Sequence, residues 1–542
     1  MMNPTTSFNL LDEPWIRVRT LDGSVEERSL LGVLESAHEL KSLAGEIPTQ
    51  DAAVLRLLEA VLLGAVRTPR PRPRPKSVVL WSEWWEAGRL PMDAVGPYCD
   101  SFRDRFDLLH PIQPFMQVAN LTTESGKTSG LSKLITEVPA GHQYFTTRAA
   151  SEVESLTFAE AARWLVHCQA FDPAGIKTGA LGDNRVKGGK GYSLGYPAWA
   201  GNLGVLIAEG ATLFETLMLN LPLGVIIADF DLPIWEREPL TAAVQATHEF
   251  PTGPADLFTW ASRRIRLVVT DQHVTDVQIS NGDRLGPQNL FTHEPMTAWQ
   301  HSANQTKTAG NDVQMPVMHR PERQLWQGLG SLLAADSQVK GVRAGVLEWL
   351  HHLIQEGALE PTYPVRLNAV GLEYGTQNSV VVGSVDDRLH AHVAALTDPV
   401  LVAAAVDAAA RAGDGVLALA KLASNLALAS GGDPNAPRQA AFELGYSLLD
   451  APYRRWLADL VDPDTVEASL QRWGVTARRV LAAAGSRLRH DAGPIALVGR
   501  QVPKHGSDAT QHLDAALAEI WFLASLTKAL VPHNPQPAEV NA

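Results

Sequence analysis

One glycine-rich stretch holds the residues whose spacing comes nearest to catalytic chemistry. Gly191-Tyr192-Ser193-Leu194-Gly195 has the G-x-S-x-G spacing of a nucleophile elbow. That device needs a buried strand before the serine and a helix after it, so that the hydroxyl projects from a strained turn. Gly188-Gly189-Lys190 precedes this serine and Tyr196-Pro197 follows it, so neither flank fits. Gly189-Lys190 likewise imitates a phosphate loop. Gly191 stands where a serine or threonine must hold magnesium, however, and Asn184 replaces the first glycine. The 17 histidines include an adjacent pair, His351-His352, whose rings fall on different helical faces, and no H-E-x-x-H occurs. His110 and His142 lack cysteines or carboxylates at ligand spacing. Cys99 and Cys168 are too few for a disulfide framework or a four-cysteine metal site. Cys168, within the apolar run Trp164 to Cys168, reads as a buried free thiol. Nuclease and helicase motifs are missing, so the expectation is no catalytic group, no metal and no cofactor.

The elements that must position these residues are legible in part. Trp15, Ile16 and Val18 with the Asp22-Gly23 turn predict a hairpin that returns over Ser24 to Leu30. Two helical stretches follow, and Val54, Leu55, Leu57, Leu58, Val61, Leu62 and Ala65 recur at helical spacing in the second, with Thr49 as its cap. Arg67 to Lys76 alternates arginine and proline and must be extended, either as a solvated loop or as a contact for a DNA backbone. Thr157 and Glu160 form a capping box for a helix that runs to about Phe171. A long glycine-rich loop, Asp172 to Gly204, then carries Lys177, Arg185, Lys187 and Lys190, and structureless loops of that length are commonly functional. Ile265–Val269 with Val274–Ile279, and Val365–Leu372 with Ser379–Val385, predict two strand pairs.

Past residue 390 alanine and leucine dominate, strand signals vanish, and Gly413-Asp414-Gly415, Gly431-Gly432-Asp433-Pro434 and Asp462-Pro463 punctuate helical runs. Leu513, Ala516, Leu517, Ile520, Trp521, Leu523 and Ala524 form an apolar stripe expected to pack in a core. The fold class is therefore α+β: a mixed body over residues 1–390, then an antiparallel helical bundle over 391–542. With 542 residues, 46 basic and 59 acidic, the net charge is -13. A chain that clamped nucleic acid along its whole surface would be basic, so any such contact must be local or shared with a partner. The sequence shows no run of about 18 apolar residues and no signal-peptide pattern over Met1 to Leu10. A soluble protein of the reducing cytoplasm, with no membrane partner, is expected.

Three stretches carry a family resemblance: Phe8-Asn9-Leu10-Leu11-Asp12-Glu13-Pro14-Trp15-Ile16, Ala44 to Asp51, and Pro111 to Gln117 with its Pro114-Phe115-Met116-Gln117. Together they resemble the CasA family, the large subunit of the type I-E CRISPR surveillance complex (Cascade). The resemblance runs end to end and implies an α+β body with a carboxy-terminal four-helix bundle. It also implies a non-enzymatic subunit that reads the protospacer-adjacent motif of double-stranded DNA, mainly from the minor groove. Such a subunit promotes strand opening and R-loop formation and docks a helicase-nuclease. Its partners would be the crRNA-containing subunits, the target duplex and that effector. The division of labour is sensible, since base pairing reads the long sequence and protein reads a short duplex element.

Residue by residue, the resemblance assigns DNA contact to the loop Ala174 to Gly179, with Gly175, Lys177, Thr178 and Gly179. Glycine lets backbone approach base edges in a narrow groove. Gly375-Thr376-Gln377-Asn378 resembles the family's strand-separating wedge, with Gln377 as the inserted side chain and Thr376 beside it. Some relatives carry asparagines flanking this glutamine where this chain has Gly375 and Thr376. The family's lysine finger falls near Asn281, with Arg284 close by and no lysine at the site. Lys187 and Lys190 are added as phosphate contacts. Phe145, Thr146 and Thr147 match a loop that meets the crRNA end of the complex, and the cysteine pair of some relatives is absent there. Arg472, Arg478, Arg479, Arg487 and Arg489 are a further basic group, either a displaced-strand contact or a plain helix surface. Two other readings stay open: a hydrolase using Ser193, and a scaffold that never touches DNA.

Overall fold

Alternation of buried and exposed residues closes the first hairpin as expected. In the computed structural model, which describes residues 7–67, 77–138, 153–192, 195–223, 230–245, 250–334, 340–503 and 509–530, β1 (Ile16–Thr20) pairs antiparallel with β2 (Val25–Arg28). A third strand, β3 (Leu40–Leu43), pairs with the other edge of β1. Trp15, Ile16 and Val18 supply the buried face. The next helix, α1 (Pro48–Arg67), is apolar on nearly every side and runs through the core. Thr49 does not cap it. The residue sits inside the first turn, fully buried, and its hydroxyl meets His167 Nε2 at 2.9 Å. The arginine–proline run from residue 68 to Lys76 lies outside the described residues, while Arg67 is the last residue of α1 and pairs with Glu236.

Thr157 caps the next helix as expected: its Oγ1 accepts the Glu160 amide, and α2 (Phe158–Phe171) follows. The long loop after it is not structureless. It folds into a ribbon of β4 (Lys177–Thr178) and β5 (Lys190–Gly191), and Lys187 and Lys190 exchange backbone hydrogen bonds across Gly188 and Gly189. Both glycines have left-handed φ, +56° and +69°, the geometry of a type I′ hairpin turn. The Gly-Gly pair was thus a legible turn signal that the likeness to a phosphate loop obscured.

Beyond it, β6 (Val205–Glu209) is followed by the hairpin of β7 (Arg263–Thr270) and β8 (His273–Asn281), whose turn places Asp271 and Gln272 at positive φ. A small sheet then joins β9 (Trp299–His301), β10 (Gln314–Pro316) and β11 (Gly341–Val342). The last long strands, β12 (Pro364–Tyr374) and β13 (Val381–His392), complete the sheet in the order β13-β12-β6.

Two compact units result. The first takes Met1–Leu325, Ser331–Glu360 and Pro364–Arg388; the second takes Trp326–Gly330, Pro361–Tyr363 and Leu389–Ala542. The second unit is built on four long helices, α3 (Pro399–Ser430), α4 (Asn435–Ala458), α5 (Val466–Asp491) and α6 (Ala515–Leu530). Gly413 and Gly415 do not interrupt a helix, because α3 continues through both. Gly431, at φ +84°, is the left-handed residue that ends it. Strands do occur here: β14 (Arg500–Pro503) pairs with β15 (Thr510–Leu513). The stripe expected to be core on α6 is largely exposed, Ile520 at 61% and Leu523 at 39%, while Ala515, Ala518, Phe522, Leu526 and Leu530 are buried. Both faces of α6 are apolar, so periodicity alone selected the wrong one. Among the described residues no helix is long and apolar enough to cross a membrane.

Candidate nucleic-acid interface

The glycine loop begins where α2 stops. Asp172 ends that helix and its carboxylate is buried, accepting from Arg263 Nε and from the Lys177 ammonium, both at 2.5 Å. Burial alone would push this carboxyl up, but the two cations beside it hold it below the usual carboxylate range. Arg263 also donates to the carbonyls of Asp172 and Pro173. The loop therefore springs from a rigid base, and Lys177 is part of that base. Its ammonium is turned inward to Asp172, with 18% of the side chain exposed, and does not extend toward a phosphate.

Gly175 has φ +133°, a conformation that side-chain-bearing residues rarely adopt, yet the space around it is open. Gly179 is glycine for a different reason: a Cβ there would lie 2.4 Å from Val186 Cγ1. Thr178 is exposed, and its carbonyl accepts from Ser280 Oγ at 2.8 Å. Ile176 within the loop and Tyr192 after β5 expose 60% and 54% of their surface. These two exposed apolar groups were not singled out from the sequence.

Asn281 is buried at the end of β8, and its Nδ2 donates to the carbonyls of Gly191 and Tyr192 at 3.0 and 2.9 Å. It fastens the β4–β5 ribbon to the β7–β8 hairpin and offers no side-chain amide to a ligand. Arg185 is similarly engaged, with Asp183 and with the carbonyls of Asn281 and Gly282. Arg284 differs. Its guanidinium is exposed and lies over the Tyr196 ring, 5.6 Å from the centroid. Lys187 and Lys190 are exposed at the hairpin.

Gln377 sits at the tip between β12 and β13, in a short turn closed by Gly375 N to Val380 O at 2.9 Å. Gln377 and Asn378 both have left-handed backbones, φ +57° and +54°, and Thr376 and Gln377 are exposed. A left-handed residue with a Cβ costs roughly 1–2 kcal/mol, asparagine less than most, so the strain of this turn falls mainly on Gln377. The tip and the glycine loop meet, since a Cβ on Gly175 would stand 4.0 Å from Ser379 Cβ. Residues separated by two hundred positions thus share one surface.

Several expected residues fall elsewhere. His142, Phe145, Thr146, Thr147 and Ser193 lie outside the described residues. In the second unit Arg472, Arg478, Arg479, Arg487 and Arg489 are exposed on α5, with Arg489 paired to Glu519. Among the described residues no group of three or more histidine, cysteine or carboxylate side chains could hold a metal ion. Both cysteines are buried free thiols.

The family model described as CRISPR-associated protein Cse1 matches residues 9–484 of this chain. A curated relative, CRISPR-associated protein CasA/Cse1 of Thermus thermophilus, is 32% identical over 392 residues, covering 71% of this chain and 69% of the relative. The solved Cse1 of Thermobifida fusca superposes with a TM-score of 0.87 at 40% identity, covering 97% of this chain and 98% of the other. Cse1 from Acidimicrobium ferrooxidans gives 0.80 at 29% identity, over 98% of this chain and 100% of the other. A chain from a solved CRISPR RNA-guided surveillance complex shares the fold, with a TM-score of 0.62 at 20% identity and coverage of 96% and 99%.

Proposed function

The chain belongs to the CRISPR-associated Cse1 family, and on that premise we propose that it is the non-catalytic large subunit of a type I-E RNA-guided surveillance complex. In this reading it works in the cytoplasm beside crRNA-containing subunits and uses no cofactor. It recognises the protospacer-adjacent motif in double-stranded DNA, promotes strand separation and R-loop formation, and docks the helicase-nuclease.

The observation that carries the DNA reading is the convergence of the glycine loop and the Gln377 tip. A backbone-rich loop suits the minor groove, where side chains find little room and the code is coarse. An exposed side chain held on a strained turn suits insertion between base steps. That manoeuvre costs a few kcal/mol per step, offset when the kinked duplex lies against more of the protein surface. Ile176, exposed within the loop, is chemically apt for the same groove. Lys187, Lys190 and Arg284 supply exposed positive charge around these parts. Gly175, Thr178, Thr376 and Gln377 are the proposed base-side contacts. Lys177, Gly179 and Asn281 support the loop from behind, a change from the direct DNA contact expected of all three. Phe145 to Thr147 remain the proposed meeting point with the crRNA end.

The decisive experiment is photocrosslinking from position 376 in the assembled complex to a duplex carrying the motif. Crosslinks from this subunit to bases beside the motif are expected. Crosslinks confined to other subunits would leave this chain a scaffold without DNA contact.

A further inference from the structure

The two loops of the proposed interface come from distant parts of the chain, yet they spring from a single joint. Phe171 is the last residue of α2, directly before Asp172 and the glycine loop. Tyr374 is the last residue of β12, three residues before Gln377. The Tyr374 hydroxyl donates to the Phe171 carbonyl at 2.6 Å. It reaches that carbonyl only because residue 201 is glycine: a Cβ there would stand 2.4 Å from the hydroxyl oxygen and 3.1 Å from Cζ. Burial, reinforced by the charge of Asp172, raises the phenol well above its ordinary pKa, so it remains a donor at every physiological pH. The same junction is fixed from below, since the Ala198 amide donates to the Asp172 carbonyl at 2.8 Å.

We propose that Tyr374, seated against Gly201, is a positioning residue that sets the spacing between the glycine loop and Gln377. Its consequence is that strand opening begins at one defined base step from the motif. The inference rests on the reading above, in which both loops meet DNA, and extends it to two residues that need not touch the duplex themselves. Asp172 with its cations and Asn281 anchor the glycine loop, and the Gly375–Val380 bond closes the tip, whereas the Tyr374 bond links the root of one to the root of the other. Without it the tip keeps its turn but loses its register against the loop.

The test uses the assembled complex containing wild type, Gln377→Ala, Tyr374→Phe, Gly201→Ala or the Tyr374→Phe/Gly201→Ala double variant. Targets carry 2-aminopurine singly at each of the first steps beside the motif, either fully paired or with those steps already unpaired. In wild type, fluorescence should rise first at one step. Tyr374→Phe should hold the motif with affinity within about twofold of wild type and open paired DNA about fivefold more slowly, the equivalent of one net hydrogen bond of ~1 kcal/mol. The first rise should also spread over neighbouring steps, and the rate should recover on the pre-opened target. Gly201→Ala should behave alike, and the double variant should be no slower than Gly201→Ala, because both changes remove one contact. Wild-type rate and step for Tyr374→Phe, alongside a slowed Gln377→Ala, would overturn the joint while sparing the wedge. A Gln377→Ala complex that opens paired DNA normally would instead overturn the wedge reading itself. Equal defects of Tyr374→Phe on paired and pre-opened DNA would reduce Tyr374 to a folding role and also overturn the proposal.

Discussion

At the scale of single residues, burial makes two side chains report on pH. His167 is fully buried between Thr49 and Thr136, stacked on Phe171, and burial lowers its pKa to about 3. The unfolded chain binds a proton near pH 6.5 that the native state refuses, so stability falls as pH drops from about 6.5 toward 3, by about 1.4 kcal/mol per pH unit. Glu59 is the opposite case. It is buried in α1, neither carboxyl oxygen has a hydrogen-bond partner among the described residues, and burial raises its pKa well above 4.5. The native state keeps a proton that the unfolded chain has lost, so this contribution is full below pH 4.5 and declines as pH rises toward the native pKa. Urea denaturation across pH 4 to 8 should show His167→Gln flattening the acid limb and Glu59→Gln flattening the alkaline one. An unchanged acid limb in His167→Gln would mean that other groups carry it. Neither role is legible in the sequence, because one histidine among 17 and one glutamate in a helix look ordinary until their surroundings close. Tyr374 and Asp172 are equally silent. By contrast Gly175 and Gln377 could be singled out, since the resemblance travels with short contiguous motifs.

At the scale of elements, local chemistry was read well where it is self-contained. The Thr157 cap and the Asp22-Gly23 turn need only their own neighbours, and both form. Features defined by a facing helix were misread. Gly413 and Gly415 look like breakers, but α3 passes through them, and Gly415 faces Leu481 and Leu530 closely enough that a Cβ would meet their Cδ1 atoms at 2.8 and 3.2 Å. Gly485 is tighter, with Phe522 Cε1 2.2 Å from where its Cβ would be. Glycine in these helices is therefore a packing residue, which a propensity argument cannot distinguish from a turn. Alanine improves helix propensity by about 1 kcal/mol, while overpacking costs about 1–3 kcal/mol. Gly485→Ala should accordingly lower the melting temperature of the protein. Gly413→Ala, whose Cβ would meet only the Tyr446 hydroxyl at 3.1 Å, should leave it unchanged or raise it. The reverse order, read by calorimetry, would show that the α5–α6 contact relaxes freely.

At the scale of the whole molecule, charge sets the terms on which DNA can be met. Composition places a boundary near residue 390. The short returns of Trp326–Gly330 and Pro361–Tyr363 into the second unit have no local signal; they follow from contacts such as Trp326 stacked on Tyr453 at 4.5 Å. A net charge of -13 opposes approach to a polyanion, so exposed cations at the proposed interface would have to act locally. Lys187 and Lys190 are exposed, whereas Lys177 is paired with Asp172 and Arg185 with Asp183. Each phosphate contact adds roughly 0.9 to the slope of log affinity against log salt. For the assembled complex, Lys187→Ala/Lys190→Ala should reduce that slope by about 1.8 and weaken motif-bearing and motif-free duplexes alike. Lys177→Ala should act differently, because it frees the base of the glycine loop and leaves the buried Asp172 charge with Arg263 alone. It should weaken motif-bearing DNA selectively and leave the slope unchanged. If Lys177→Ala flattens the slope while the double variant does not, the ammonium of Lys177 must leave Asp172 on binding. The loop base would then be a moving part, and a rigid support would be the wrong description of it.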